Sequence, residues 1–465
     1  MEFVLGIILL IMTIGAFAVA IVRPWVCFAM IIAYPVTEQA IQSYFPFFEA
    51  NRSAFNYLVA AAAASSVALR LFREPIARKC IFHPVLILVI LLQVISYSSL
   101  LWTPDFENGL DLTVRRLPYS ILYLVVAPLL ITSIDDFHRV RMPMIIIATG
   151  ALLLFLLGPT AQFRGVVLVI HYGGSAGTGN PGIVGEVGAI VLVFAVLSTY
   201  HGLGKWALPL QLGAGLFGLG MGLLSGTRGQ VLVGGLVSFL FFPLSRRVKG
   251  LGSFFGIGIG MLVVVAILYA AVQFFVTDQN MDRWSADSLT GGVTGRFEIA
   301  QEAIASWLND PVTWIFGRGA GAFITLQTAH AYPHNFAVET LTELGIVGFT
   351  LYLMVIAYVI RAGMGLYGLV KDDLDQRSAT SVLCALAVFA SVLSLKQGTI
   401  HSPGPFYVWL LVLSRIYKYE STYGLALTNE DDESDMDDLD DEFDDELEMI
   451  DEEEETDLES GHSHA

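Results

Sequence analysis

Charge is scarce in this chain. Asp, Glu, Lys and Arg make up 15% of its 465 residues, where an ordinary soluble protein has about a quarter, and that excludes a conventional water-soluble enzyme. The 25 Lys and Arg form no basic patch, so nucleic acid is not an expected partner. Cysteine is nearly absent as well. Cys27, Cys80 and Cys384 lie in or beside apolar stretches with no Cys-x-x-Cys pair, which excludes a disulfide framework and leaves buried thiols. The Gly-rich stretch from Gly317 to Gly321 lacks the Lys-Ser/Thr of a phosphate loop. Asp278, Asp282 and Asp287 are dispersed without a metal-ligand spacing, so neither a metal nor another cofactor is expected.

Apolar residues fill the space. They amount to 55% of the chain, with a mean hydropathy of +0.65. The formal charge of −18 belongs to one end: 21 of the 43 acids fall between Glu430 and Glu459, leaving 22 acids against 25 bases elsewhere. The body is therefore nearly neutral. The segment 429–465 is self-repelling and poor in aromatics, which predicts a disordered acidic tail. A helix needs about 20 apolar residues to cross a hydrocarbon core about 30 Å thick. Thirteen candidate spans begin near Phe3, Trp25, Phe55, Ile81, Tyr119, Pro143, Val184, Trp206, Gly229, Leu251, Phe336, Ala379 and Pro405. The expected fold is all-α, a polytopic membrane bundle of about 12–13 helices.

Arg23 follows the first apolar run and no basic residue precedes it, the pattern of a retained helix with its N-terminus outside. With thirteen spans the inside loops hold 16 of the 25 bases, as the positive-inside rule asks. The tail is then cytoplasmic and the segment from Val276 to Asn335 extracytoplasmic. Four parts follow: a transmembrane bundle at 1–275, an extracytoplasmic catalytic loop at 276–335, C-terminal transmembrane helices at 336–420, and the tail at 429–465. Long loops in compact architectures are usually functional. In this one, Phe297, Ala300, Ile304, Trp307 and Leu308 recur at helical spacing between a Thr294 cap and the stop at Asp310-Pro311. An amphipathic helix on the membrane surface is expected there, followed by the Gly-rich turn and a return to the bilayer through Tyr332-Pro333-His334-Asn335.

Cations at membrane depth are costly and need a reason, about 2.5–3.5 kcal/mol for Arg at a helix centre. On the expected outer side Arg228 sits in the turn Ser225-Gly226-Thr227-Arg228-Gly229, Arg296 in the first turn of the loop helix, and His334 at the point of re-entry. Singly, each has a plain reading as a snorkelling end, a solvated face or a structural hydrogen-bonder. Together they suit a diphosphate in the outer leaflet. Two guanidiniums can grip it bidentately, and an imidazole can exchange a proton near neutral pH. Glu186, at a helix mouth, and the i,i+4 pair Glu339 and Glu343 are supporting candidates, with capping or helix fixation as the competing role. Arg318 is a further candidate for the diphosphate, with a surface turn as its plain reading.

Tyr332-Pro333-His334-Asn335, followed by Glu339, Leu341, Glu343, Leu344, Gly345, Ile346, Val347 and Gly348, resembles the His-Asn…Glu…Glu-x-Gly-x-x-Gly signature of the O-antigen ligase and polysaccharide polymerase family. Asn180-Pro181 with Gly185, the Ser225–Gly229 turn, Arg296 with Trp307, and the Gly317–Phe323 stretch resemble further family segments in the same order. The resemblance covers about residues 175–350. It implies an integral membrane glycosyltransferase of the bacterial inner membrane. Such an enzyme moves a glycan from a polyprenyl-diphosphate carrier to a glycan, lipid or protein hydroxyl on the outer face. Arg228 and Arg296 would be its diphosphate-binding residues and His334 its essential histidine, with Asn180, Glu186, Arg318, Tyr332, Asn335 and Glu339 in support. The extra N-terminal helix and the acidic tail depart from the family pattern. The competing readings are a lipid-linked glycan flippase and a protein O-oligosaccharyltransferase. The absence of an internal repeat and the gathering of the candidates on one face speak against the flippase.

Overall fold

The computed structural model describes the chain except residues 1, 158–160, 165–166, 173–174, 179, 247–249, 251, 253–254, 257, 261, 265, 268–269, 271–285, 327–332, 401–403 and 425–465. The architecture is helical. In chain order the helices are α1 (Glu2–Val22), α2 (Pro24–Tyr44), α3 (Pro46–Ala50), α4 (Arg52–Arg73), α5 (Pro75–Lys79) and α6 (Pro84–Ser98). There follow α7 (Phe106–Ser120), which runs through a π-helical stretch into α8 (Ala127–Leu129), then α9 (Ile134–Leu156), α10 (Pro181–Leu197), α11 (Ala207–Leu224) and α12 (Arg228–Ser245). The last five are α13 (Ala286–Leu308), α14 (Pro311–Phe316), α15 (Phe336–Val370), α16 (Leu374–Gln397) and α17 (Gly404–Tyr419). Among the described residues eight helical segments are long and apolar enough to cross a membrane. The span expected near Leu251 is only partly described, and its described residues up to 270 are helical save Gly250. Contacts divide the chain into Met1–Tyr417 and Lys418–Ala465. The acidic tail at 429–465 lies outside the described residues.

Both faces of the long helices are apolar, which is the signature of a membrane bundle. In α15, Tyr352, Val355, Val359, Ala362 and Leu366 recur at helical spacing and are buried, while Ile346, Leu353, Ile360 and Met364 on the other side are exposed. A water-soluble helix would carry polar groups on that second face. The core is filled by large side chains such as Phe28, Phe194, Phe336, Phe389, Tyr407 and Trp409, all fully buried.

Several starts differ from the expected ones. The span read from Tyr119 begins at Phe106, where Asp105 caps the helix by accepting the Asn108 N–H at 3.2 Å. Arg115 and Arg116 lie inside that helix, and these charges made its first turns read as loop. Likewise the span read from Pro143 begins at Ile134, behind a capping box of Ser133 and Asp136. Its charges are absorbed by partners: Asp136 pairs with Arg70 of α4, and Arg141 bonds to Thr199. Arg415 of α17 donates to the carbonyls of Pro128 at 2.7 Å and Ala77 at 2.9 Å. These arginines are structural, and they gather at the Thr199 end of α10.

Two features of the loops were not anticipated. Residues 161–164, 167–172 and 175–178 form a three-stranded antiparallel meander between α9 and α10. The loop helix α13 starts at Ala286, so Thr294 lies inside it and is not its N-cap, and Arg296 is not in its first turn. Its expected apolar stripe is only partly covered: Ala300, Ile304 and Trp307 are half-buried, while Phe297 and Leu308 are exposed. The expected stop at Asp310-Pro311 holds, with Asp310 capping the next short helix by accepting the Val312 N–H at 2.9 Å.

Candidate functional site

The Asn180 end of α10 carries the candidate residues. The turn from Ser225 to Arg228 joins α11 to α12, and Gly226, at φ +67°, takes the left-handed conformation that reverses the chain. Ser225 is buried, donates to the Gly222 carbonyl at 2.7 Å and shares a hydroxyl contact of 2.7 Å with Thr227. The turn is seated directly on α10. A Cβ at Gly185 would collide with the Thr227 hydroxyl and stand 2.9 Å from Ser225 Oγ. The two sequence segments that hold Gly185 and Ser225–Gly229 are therefore one structural unit.

Arg228, half-buried, opens α12, whose N-cap Thr227 makes no side-chain cap. Arg296 is exposed on α13. Both act electrostatically on Lys396, the penultimate residue of α16, so three cations from three helices share one region. Lys396 lies against Gly229, where a Cβ would stand 2.6 Å from its Cδ and 2.7 Å from its Cε. The adjoining Gln397 accepts a hydrogen bond from the buried Gln230 amide at 2.9 Å, tying the end of α16 to the first turn of α12.

His334 precedes α15 and is the single non-glycine among the described residues in the left-handed region, at φ +54°. Asn335 then caps the helix, its side chain accepting from the N–H groups of Ala337 at 3.1 Å and Val338 at 3.2 Å. One turn on, the fully buried Glu339 accepts from the Thr399 hydroxyl at 2.7 Å and the Ile400 N–H at 2.8 Å. This carboxylate joins the start of the His334 helix to the segment just after Lys396. Tyr332 lies outside the described residues.

The Gly-rich turn is docked further along the same helix. Its Arg318 and Gly319 N–H groups donate to the carbonyls of Thr342 and Glu343, each at 2.9 Å, and Glu343 accepts the Gly321 N–H at 3.0 Å. Gly345 interrupts α15 at φ +67°, and a Cβ on it would collide with the Ile315 carbonyl and with Gly317. On its other side the turn meets the connection from α6 to α7: Thr103 donates to the Ala320 carbonyl at 2.9 Å, and Ala320 donates to Ser99 Oγ at 2.9 Å. Glu343 thus serves the turn. Among the described residues Arg318 makes no ion pair, and its backbone N–H is tied to the Thr342 carbonyl.

A cavity of 470 Å³ opens beside these groups, between α2, α7, α10, α15 and α16. Tyr34, Glu38, Arg116, Asn180, Glu186 and Gln397 supply its polar lining. Asn180 also caps α10, accepting the Gly182 N–H at 2.9 Å. The sequence reading passed over Lys396, Glu38 and Arg116. A signal existed for the first, since Lys396 is the single base between Arg377 and Arg415. Glu38 and Arg116 each sit inside a helix with no neighbouring motif.

The family model described as O-antigen ligase matches residues 213–353, from α11 through α12, α13 and the Gly-rich turn into α15. That stretch is similar to the O-antigen ligase family, and the helices around it are those of a multi-pass membrane protein. It contains Arg228, Arg296, His334, Glu339 and Glu343, whereas Asn180, Glu186 and Lys396 lie outside it. No curated protein matches the chain.

Proposed function

We propose that the protein is a glycosyltransferase of the bacterial inner membrane that moves a glycan from a polyprenyl-diphosphate carrier to an acceptor hydroxyl at the extracytoplasmic face. The observation that carries this reading is the packing of the end of α16 on the start of α12: Lys396 lies against Gly229, next to Arg228, within the electrostatic reach of both Arg228 and Arg296, and the adjoining Gln397 lines a polar cavity. Guanidiniums bind phosphate oxygens bidentately and hold charge where a leaving group develops it. The amide end of α12, which starts at Arg228, adds a positive field.

His334 is the proposed base. The acceptor oxygen would attack the anomeric carbon and lose its proton to the imidazole, while the carbon–phosphate oxygen bond breaks and polyprenyl diphosphate leaves. One such displacement inverts the sugar carbon. Charge stabilisation by the two arginines makes a metal unnecessary in this scheme. Asn335 and Glu339 are positioning residues: the first caps the helix behind His334, and the second fixes that helix to the end of α16. The cavity, with its carboxylates, tyrosines and Arg116, offers hydrogen-bonding groups suited to a sugar.

The test is release of free polyprenyl diphosphate from a lipid-linked glycan by the purified full chain. Arg228→Ala or Arg296→Ala should lower the rate about 10²-fold or more, as loss of charge-stabilising donors does. Arg228→Lys should fail to restore it, because an ammonium cannot bind bidentately. Binding of the lipid-linked glycan with no diphosphate released would replace this reading with a flippase. In the native host, carrier-linked single repeats accumulating in the inactive variant would mark a polymerase, and accumulating long chains a ligase.

A further inference from the structure

Lys396 has no place in the scheme above, yet the fold goes to some length to put it there. Its stem occupies the space that any side chain at position 229 would fill, directly beside Arg228 in the chain. The charges of Arg296 and Arg228 both act on it. Among the described residues no carboxylate forms an ion pair with Lys396 or Arg296. Like charges brought together repel, and more strongly where water is thinned. A lysine in the last turn of a helix is ordinarily satisfied by the helix dipole and solvent, with its stem free to swing away. Here the end of α16 is pinned on both sides, by Gln230 to Gln397 and by Glu339 to Thr399 and Ile400. The repulsion is held in place by the fold.

We propose that Lys396 is a third cation of the donor site, one that reads the second phosphate of the carrier's diphosphate. The inference rests on the reading of Arg228 and Arg296 as diphosphate ligands. Two planar guanidiniums match one phosphate group's oxygens well; a compact ammonium with three rotatable donors complements them on the neighbouring group. Its charge also counts most as the glycosidic bond breaks, when the departing diphosphate gains negative charge.

The experiment compares binding of polyprenyl diphosphate and polyprenyl monophosphate to the full-length protein in lipid nanodiscs, for wild type, Lys396→Met and Lys396→Arg. Lys396→Met should lose about tenfold or more in affinity for the diphosphate, the size of a charge-assisted hydrogen bond, and under about threefold for the monophosphate. Lys396→Arg should recover most of the preference. Equal losses for both lipids, or no loss, would overturn the proposal. Should Lys396→Met not fold, Gly229→Ala in the same assay displaces the ammonium without deleting it, and an unchanged diphosphate preference there would overturn the proposal as well. The underlying reading fails separately. If wild type does not distinguish the two lipids, the diphosphate site itself is wrong; if wild type does, Arg228→Ala does not and Lys396→Met still does, only the role of Lys396 falls.

Discussion

His334 stands in a backbone conformation that non-glycine residues rarely accept, at a cost of about 1 kcal/mol or more. Strain of this kind is kept where the surroundings over-determine it, and here the Asn335 cap and the Glu339 tether begin immediately after. The two contributions can be separated by choice of substitution. His334→Gly removes the imidazole and relieves the backbone, so the variant should melt at or above the wild-type temperature while losing about 10²-fold or more in transfer rate. His334→Ala loses the same rate and, keeping a Cβ at positive φ, should melt below His334→Gly. Parallel thermal unfolding and turnover measurements check both, and retention of transfer by His334→Gly would dismiss the imidazole as a base.

At the scale of elements the telling piece is α15, which is two helices in one. Gly345 divides a short N-terminal part, bearing Asn335's cap, Glu339 and Glu343, from a long membrane span, and at the division the backbone touches Ile315 and Gly317. Gly345→Ala would force a Cβ into that contact at a φ that L side chains avoid. Transfer activity should fall with little change in donor binding, because the His334 helix shifts while Arg228 on α12 is untouched; equal loss of both would argue against this division of labour. Much of this was legible beforehand. Hydropathy located most of the helices because lipid demands uninterrupted apolar runs, and it mislocated the start at Phe106, where Asp111, Arg115 and Arg116 interrupt the run, and the start at Ile134, where Asp136 and Arg141 are absorbed by Arg70 and Thr199. The loop helix was placed too late because its first turns, Ala286 to Thr294, contain Gly291 and Gly292 and lack an apolar period. Lys396 stands out in sequence as a lone cation in an apolar span, but no motif ties it to position 229; only the packing of α16 on α12 brings it to Gly229.

The molecule as a whole presents two ends of opposite character. At one, Arg70, Arg141 and Arg415 are consumed by carbonyls, a hydroxyl and a carboxylate; at the other, Lys396 packs against Gly229 within the electrostatic reach of Arg228 and Arg296. The proposed orientation puts the second end outside. Cysteines introduced singly at Asn309 and at Arg246, in a background with Cys27, Cys80 and Cys384 replaced, should react with a membrane-impermeant maleimide in intact cells at 309 and only after permeabilisation at 246. The reverse pattern would turn the whole assignment over. The contact between Gly229 and the stem of Lys396 carries a consequence for descent. The space there admits one side chain, not two, so the positions are bound to each other as they drift: in related chains a residue larger than glycine at 229 should travel with a shorter one at 396, although 229 lies within the stretch that matches the O-antigen ligase family and 396 beyond its end. Two stretches of sequence that hydropathy alone would treat as independent spans would then share one history.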